Sequence, residues 1–168
     1  MAQNVLEFMR IAARTAPKAA GQDFVEIKLL ENEELDDLAD EMRRYGEESG
    51  KKDFDRDGEC VRESEAVFLA SLEEPQAVGL DCGACGNSKC SDLRKEEGPE
   101  FKGPNCAWRL LDLGIALGSA VKTASMLNVD NRVMYRVGVV AREMDLIEGD
   151  IVVGVPLSVK GKNIYFDR

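Results

Sequence analysis

The spacing of apolar residues along the chain predicts helices interleaved with strands. In residues 4–16, Val5, Leu6, Met9 and Ala13 recur at the helical period and so fall on one face of a helix. Elsewhere, short runs that alternate with polar residues, or that are apolar throughout, have the length of strands. The predicted helices cover 4–16, 31–50, 107–128 and 131–144, and the predicted strands cover 23–30, 65–71 and 150–159.

This interleaving indicates the class of fold. Helices that alternate with strands usually build a sheet covered by helices in layers. We therefore expect a single α+β domain, layered in the manner of α/β proteins, over residues 1–168. Residues 80–106 are rich in Gly, Pro and Cys, and we expect them to form a loop module inserted into that domain.

The helix predicted over 107–128 is the most apolar in the chain. Gly114 and Gly118, together with nearby alanines, give it narrow faces that another backbone can approach closely. Its nearly apolar part contains Asp112 and falls short of the roughly 20 residues that span a bilayer. We expect a central helix that packs tightly in the core of a water-soluble domain.

Composition and charge then exclude several classes of protein. Charged residues make up 32% of the chain, which is too many for a membrane protein. The N-terminus lacks the features of a secretory signal, so we expect a cytoplasmic protein. The net charge is −10, and no basic stripe is present. Because nucleic-acid binding depends largely on Lys and Arg, we expect no nucleic-acid partner.

The chain contains no histidine, which limits the chemistry of any site. Histidine general bases, histidine-dependent nucleophiles and mixed Cys–His zinc sites are all excluded. Rieske-type ligation, which needs two histidines, is excluded as well. A metal in this protein must be held by Cys, Asp or Glu, and the five cysteines become the most informative residues.

Four of the cysteines form a pattern, Cys-x2-Cys-x4-Cys-x15-Cys, that we call the cysteine quartet. Its members are Cys82, Cys85, Cys90 and Cys106. Glycines at 83 and 86 allow backbone conformations that wrap a chain around a compact centre. Soft thiolates select iron–sulfur clusters, zinc or Cu(I) over hard cations. The fifth cysteine, Cys60, lies apart in sequence, and we interpret it as a thiol outside the site.

Other uses of the quartet remain open to different degrees. Disulfides are disfavoured because the number of cysteines is odd and no secretion signal is present. A structural zinc site is the serious alternative, although such sites usually present two separated Cys-x2-Cys pairs. Three clustered ligands with a fourth at a distance fit cluster ligation better.

The segment DCGACGNSKC, followed by a distant cysteine, resembles a small module of Rnf-type electron-transport subunits and corrinoid iron–sulfur proteins. That resemblance implies a [4Fe–4S] centre. The whole chain resembles a prokaryotic family of ferredoxin-domain-containing proteins. The likeness is carried by AARTAPKAAGQD, DCGACG, GPNC and GVPLSVKGKNIYFDR. This second resemblance implies a cluster but specifies no reaction.

Two further stretches resemble the FMN-dependent nitroreductases. AARTAPKAAGQDFVEIKLL is similar to their first helix, turn and strand, and GIALGSAVKTASMLNVDNR is similar to their long central helix. The resemblance implies a nitroreductase-like sheet flanked by helices, and a homodimer formed through the central helix. It also implies that Arg14 and Lys18 are the nearest candidates to bind a flavin phosphate. Ordinary surface cations remain the alternative for both residues.

Residues 53–58, DFDRDG, begin like a calcium-binding EF-hand loop. The pattern fails at its twelfth position, where Ser64 stands in place of the bidentate Glu that the loop needs. We therefore expect a solvated acidic loop here rather than a calcium site.

These observations lead to a main hypothesis and two rivals. The main one is an iron–sulfur redox protein that transfers electrons to or from a partner protein or a small molecule, with a flavin-linked oxidoreductase as its enzymatic form. No catalytic residue is assigned. The first rival is a non-catalytic protein that zinc or a cluster merely staples. The second is a sensor whose 80–106 loop orders or melts with oxygen or iron supply.

Overall fold

The computed structural model describes residues 2–166 as an antiparallel sheet between two layers of helices. The helices are α1 (Ala2–Thr15), α2 (Glu33–Ser49), α3 (Phe54–Arg62), α4 (Ala107–Met126) and α5 (Tyr135–Glu143). The strands are β1 (Val25–Leu30), β2 (Ala66–Leu72), β3 (Glu96–Glu97), β4 (Lys102–Gly103), β5 (Asp130–Asn131) and β6 (Ile151–Ser158).

The main sheet has the order β1-β2-β6-β5, and every neighbouring pair is antiparallel. β2 is buried along its whole length because helices cover both of its faces, and apart from Ser71 its residues are apolar. Phe68 and Ala70 point towards a core formed with α1 and α4. Val67 and Leu69 point towards a second core formed with α2, α3 and α5. The α+β layered class is therefore confirmed.

The close packing of α5 against the sheet depends on two glycines. A Cβ atom at Gly138 would collide with the backbone of Val152, and one at Gly154 would collide with the side chain of Val137. Glycine at these two positions lets the helix lie directly on β6. α5 begins at Tyr135, later than the predicted start at 131, because Asp130 and Asn131 pair with β6 instead.

The predicted acidic loop at 53–58 is wrong, since these residues start α3. Phe54 is fully buried in the second core. Asp57 is also buried, and its carboxylate accepts hydrogen bonds from Arg136 at 2.9 Å and from Arg56 at 2.8 Å. A carboxylate that is paired with two guanidinium groups can be buried, whereas burial of an unpaired carboxylate would cost a large desolvation free energy.

α4 was expected to pack tightly in the core, and this is correct for one side of the helix and wrong for the other. Ala116, Ala120 and Ala124 are fully buried in the first core. Gly114 and Gly118 are exposed, and a Cβ atom at either position would meet nothing within 4 Å. The glycine face therefore points away from the core. In the part of the chain that the structure describes, no helix has the length and apolarity that crossing a bilayer takes.

Candidate metal centre

All four residues of the cysteine quartet line one small cavity. The cavity lies where the loop that follows β2 meets the start of α4, and Leu80, Leu93 and Trp108 contribute its apolar wall. Cys106 is buried, Cys85 and Cys90 are half-buried, and Cys82 is exposed. The tertiary structure thus brings the distant fourth cysteine to the other three.

The backbone of residues 81–86 curls because three residues adopt positive φ angles. Asp81 has a φ of 49°, Gly83 of 75° and Gly86 of 90°. The Gly86 N–H donates to the Gly83 carbonyl oxygen at 2.9 Å, which closes a tight turn between Cys82 and Cys90. The glycines that the sequence analysis singled out do occupy the strained conformations for which glycine is suited.

Cys106 reaches the cavity as the N-cap residue of α4. Its carbonyl oxygen accepts the first helical hydrogen bonds, from the N–H groups of Arg109 at 3.0 Å and Leu110 at 3.1 Å. The N-terminal end of a helix carries a partial positive charge. This end of α4 therefore favours negative charge, such as that of a thiolate-bound metal centre, beside Cys106.

Hydrogen bonds reach two sulfur atoms of the quartet and hold the backbone around them. The Trp108 indole Nε1 donates to Cys82 Sγ at 3.3 Å, and the Asp81 N–H donates to Cys90 Sγ at 3.4 Å. In return, the Cys90 N–H donates to Asp81 Oδ1 at 2.7 Å. The Ala84 N–H, and after it the Trp108 indole, lower the pKa of the Cys82 thiol. These donors favour the thiolate form, which is the form that binds metals.

A single zinc ion and an iron–sulfur cluster are the two centres to compare at the quartet. Within residues 2–166, no three Cys, Asp or Glu side chains lie close enough together to hold a single metal ion. A zinc site places all four sulfurs about 2.3 Å from one ion. In an iron–sulfur cluster each thiolate binds its own iron, so the sulfurs stand farther apart. The four thiolates that line this cavity are a donor set that either kind of centre can use.

Arg109 and Asp112 form a buried ion pair that the sequence analysis missed. Arg109 is fully buried and donates to Asp112 Oδ2 at 3.1 Å, to the Gln76 carbonyl oxygen at 2.8 Å and to that of Ala19 at 2.9 Å. Asp112 Oδ1 accepts from the Ala19 N–H at 2.7 Å. The pair therefore fixes the first turns of α4, which follow Cys106. The sequence feature that could have predicted this ion pair is two opposite charges three residues apart in an apolar helix.

The two predicted flavin-phosphate ligands, Arg14 and Lys18, lie together at the end of α1. Lys18 Nζ donates to three carbonyl oxygens, those of Ala13 at 2.8 Å, Arg14 at 2.9 Å and Ala16 at 2.8 Å. Arg14 donates to Asp23 Oδ2 at 2.8 Å. Lys18 is enclosed by groups that a phosphate would have to displace, whereas Arg14 is 45% exposed beside Asp23. Flavin binding by these two residues stays a prediction.

Cys60 lies outside the cavity, half-buried on α3. Its Sγ is 3.9 Å from the Ile164 carbonyl oxygen, and burial raises the pKa of its thiol. The thiolate form is thus disfavoured at Cys60 and favoured at Cys82. The interpretation of Cys60 as a thiol outside the site stays a prediction.

The outer faces of α1 and α4 expose large apolar side chains around the two glycines of α4. Phe8 and Ile11 on α1 are 53% and 56% exposed, and Leu111 and Ile115 on α4 are 52% and 43% exposed. We call this surface the outer apolar face. It is the surface on which the predicted homodimer would depend.

Comparisons with known proteins give a family and a fold. Residues 102–168 match a family model described as an uncharacterized protein containing a ferredoxin domain (DUF2148). The matched range includes Cys106 and ends at the C-terminus. A protein of Archaeoglobus fulgidus is 49% identical over 162 residues, which cover 95% of this chain and 88% of that protein.

Among solved structures, nitroreductases share the fold at low sequence identity. Nitroreductase CinD of Lactococcus lactis, in complex with chloramphenicol, has a TM-score of 0.64 at 15% identity, with 99% of this chain and 85% of that chain covered. A nitroreductase of Desulfitobacterium hafniense with bound FMN has a TM-score of 0.57 at 14% identity, with 95% and 78% covered. The nitroreductase-like fold is therefore confirmed.

Proposed function

The chain belongs to the family described as containing a ferredoxin domain, and from that premise we propose that it holds a [4Fe–4S] cluster on the cysteine quartet and transfers electrons. Family and fold both indicate a redox protein. The observation that carries the finer proposal is the convergence of all four cysteines on one cavity. Residues 80–106 act in this proposal as a cluster loop inserted into one domain.

The residues around the cavity have separate tasks in this function. A bound cluster would supply a one-electron relay. The quartet binds the iron, and the Asp81 N–H and the Trp108 indole donate to its sulfurs. Leu80 and Leu93 limit the access of water from the wall of the cavity. The exposure of Cys82 gives a redox partner an approach to the cluster through that ligand.

Metal analysis tests the proposal against its zinc alternative. The protein is purified without oxygen, and iron, sulfide and zinc are measured per chain together with visible spectra before and after dithionite. We expect about four iron and four sulfide per chain, as the cluster formula requires, and a brown colour that dithionite bleaches. Stoichiometric zinc in a colourless protein would falsify the cluster and support a metal that only staples the loop.

Two matched cysteine substitutions test the ligand set. Cys106→Ser should remove most of the iron, because it replaces a buried ligand of the quartet. Cys60→Ser should leave the iron content near that of the wild type, because this thiol lies outside the cavity. If the two outcomes are exchanged, the proposed ligand set is wrong.

Flavin is a second candidate cofactor, supported by the fold and by the FMN bound in the Desulfitobacterium hafniense structure. The ion pairs of Arg14 and Lys18 with Asp23 oppose a phosphate at that position. The visible spectrum of the supernatant after acid denaturation decides the question. A flavin band there would support the enzymatic form of the hypothesis.

We also propose that two copies of the chain associate through the outer apolar face. Ile115→Glu should convert the dimer to a monomer in light scattering, because it places a charge at the centre of that face. Met126→Glu, at the exposed end of α4, is the matched control and should leave the dimer intact. A monomer mass for the wild-type chain at micromolar concentration would contradict the proposal.

A further inference from the structure

The one tryptophan of the chain, Trp108, does not belong to either core. It is the second residue of α4, two positions after Cys106, and it remains 40% exposed. Its ring lines the cavity of the quartet instead. A large aromatic side chain that is not used for core packing, and that stands at a metal centre, suggests a role in that centre.

The orientation of this side chain is set by a polar contact. The indole Nε1 lies 3.3 Å from Cys82 Sγ, and an indole nitrogen can only donate. The other donors to sulfurs of the quartet named above are backbone groups, the Asp81 N–H at 3.4 Å from Cys90 Sγ and the Ala84 N–H at Cys82. Cys82 therefore receives a side-chain donor that substitution can remove without changing the backbone.

We propose that Trp108 is a positioning residue that raises the reduction potential of the cluster through Cys82, an inference that rests on the proposed cluster. Reduction adds negative charge, which is shared with the cysteine sulfurs. A hydrogen bond to sulfur stabilises the more negative state more strongly. The N-terminal end of α4, which carries both Cys106 and Trp108, acts in the same direction.

The ring could also affect the potential by excluding water, and a second residue separates the two effects. Leu80 lines the same cavity and is 60% exposed, but it has no donor. Leu80→Ala admits water without changing any hydrogen bond to sulfur. Water stabilises the more highly charged reduced state, so this substitution should leave the potential unchanged or raise it. Loss of the indole N–H should lower it.

The test compares Trp108→Phe, which keeps an aromatic ring, with the wild-type chain and with Leu80→Ala. Each protein is prepared without oxygen, and the reduced fraction is followed by electron paramagnetic resonance during a potentiometric titration. For Trp108→Phe we expect unchanged iron and sulfide. We also expect a fall of up to about tenfold in the ratio of reduced to oxidised cluster at a fixed potential, equivalent to about 59 mV for one electron.

The outcomes separate this inference from the proposed function. A loaded Trp108→Phe chain with the wild-type potential would overturn the tuning role and leave the cluster in place. Loss of the cluster from a folded Trp108→Phe chain would also overturn it, since Trp108 would then be a structural support. A downward shift of the same size in Leu80→Ala, which removes no donor to sulfur, would show that the fall does not depend on the indole N–H and would overturn the proposal. A wild-type chain without iron and sulfide would overturn both proposals.

Discussion

Residues 79–106 carry the quartet, and the two halves of this stretch are held in different ways. We call residues 79–92, which carry three of the four cysteines, the ligand segment, and residues 93–106, which end in the fourth, the anchored segment. Hydrogen bonds of the ligand segment run mostly within it, as between Asp81 and Cys90. From outside the segment, the Trp108 indole donates a hydrogen bond to Cys82 Sγ.

The anchored segment is tied to the body of the domain along its length. Lys95 Nζ donates to the buried carboxylate of Asp150 at 2.7 Å. Arg142 donates to both carboxylate oxygens of Glu97, each at 2.9 Å. The Lys102 N–H donates to the Asp150 carbonyl oxygen at 2.9 Å. These contacts fix the path of the chain to Cys106 without help from a metal.

This difference has a consequence for how the site forms. The fold itself positions Cys106, whereas the other three cysteines lie on a segment with few contacts to the core. Segments of that kind open at low free-energy cost, and metal binding then contributes directly to their order. We infer that a bound cluster orders the ligand segment against a cysteine that is already in place.

The largest expected effect of this difference is on hydrogen exchange. When iron is removed by a chelator, amides in the ligand segment should exchange at least about tenfold faster, because local opening is no longer opposed by binding. Amides in the anchored segment should change little. Mass spectrometry of peptic peptides resolves the two segments. Equal loss of protection in both would contradict the distinction between them.

A smaller effect is expected on the free energy of unfolding of the metal-free chain. Asp150→Ala should lower it by about 2 kcal/mol, because it removes a buried partner of Lys95. Lys95 is only partly buried and can turn towards water, which limits the loss. Asp92→Ala in the ligand segment is the matched control and should change it by less than about 0.5 kcal/mol. Urea unfolding measures both, and equal losses would refute the comparison.

The smallest effect is expected from strain within the ligand segment. Gly86 has a φ of 90°, and a Cβ atom there would meet nothing within 4 Å. Gly86→Ala should therefore add about 1 kcal/mol of backbone strain without a steric clash. Iron affinity should fall about fivefold. The free energy of unfolding of the metal-free chain should stay unchanged, because the ligand segment opens easily when no metal is bound. Competition with a chelator measures the affinity.

Gly79 offers a control for that substitution. Its φ is 88° and its surroundings are equally open, but it precedes the quartet rather than lying between two of its members. Gly79→Ala should lower the iron affinity less than Gly86→Ala does. An equal loss in the two variants would show that the position between ligands has no special weight.

Several elements followed directly from the sequence, and the reasons are local. α1 could be predicted because its apolar positions repeat with the helical period, and β6 because it is a short, nearly continuous apolar run of strand length. α3 could not be predicted from its acidic start. Asp57 is buried because Arg136 on α5 meets its carboxylate, and the two residues are 79 positions apart.

The glycines of α4 give a second case in which the sequence did not predict which residues would be buried. Their spacing indicated a face that would allow close approach, but it did not indicate which face of the helix the core would cover. The alanines took the core side, and Gly114 and Gly118 were left exposed. Only the docking of α1 and the sheet against α4 decides that choice.

By itself, the sequence determined the donor set of the site. The absence of histidine and the spacing of the quartet leave thiolates as the donors that a centre at this place would use, because ligand chemistry depends on residue type alone. The tertiary structure decided what surrounds those thiolates. It brought Cys106 to the other three cysteines and Trp108 to Cys82, and it buried Arg109 behind them. Such contacts join residues that are distant in sequence, and they depend on how helices pack on the sheet rather than on any local period.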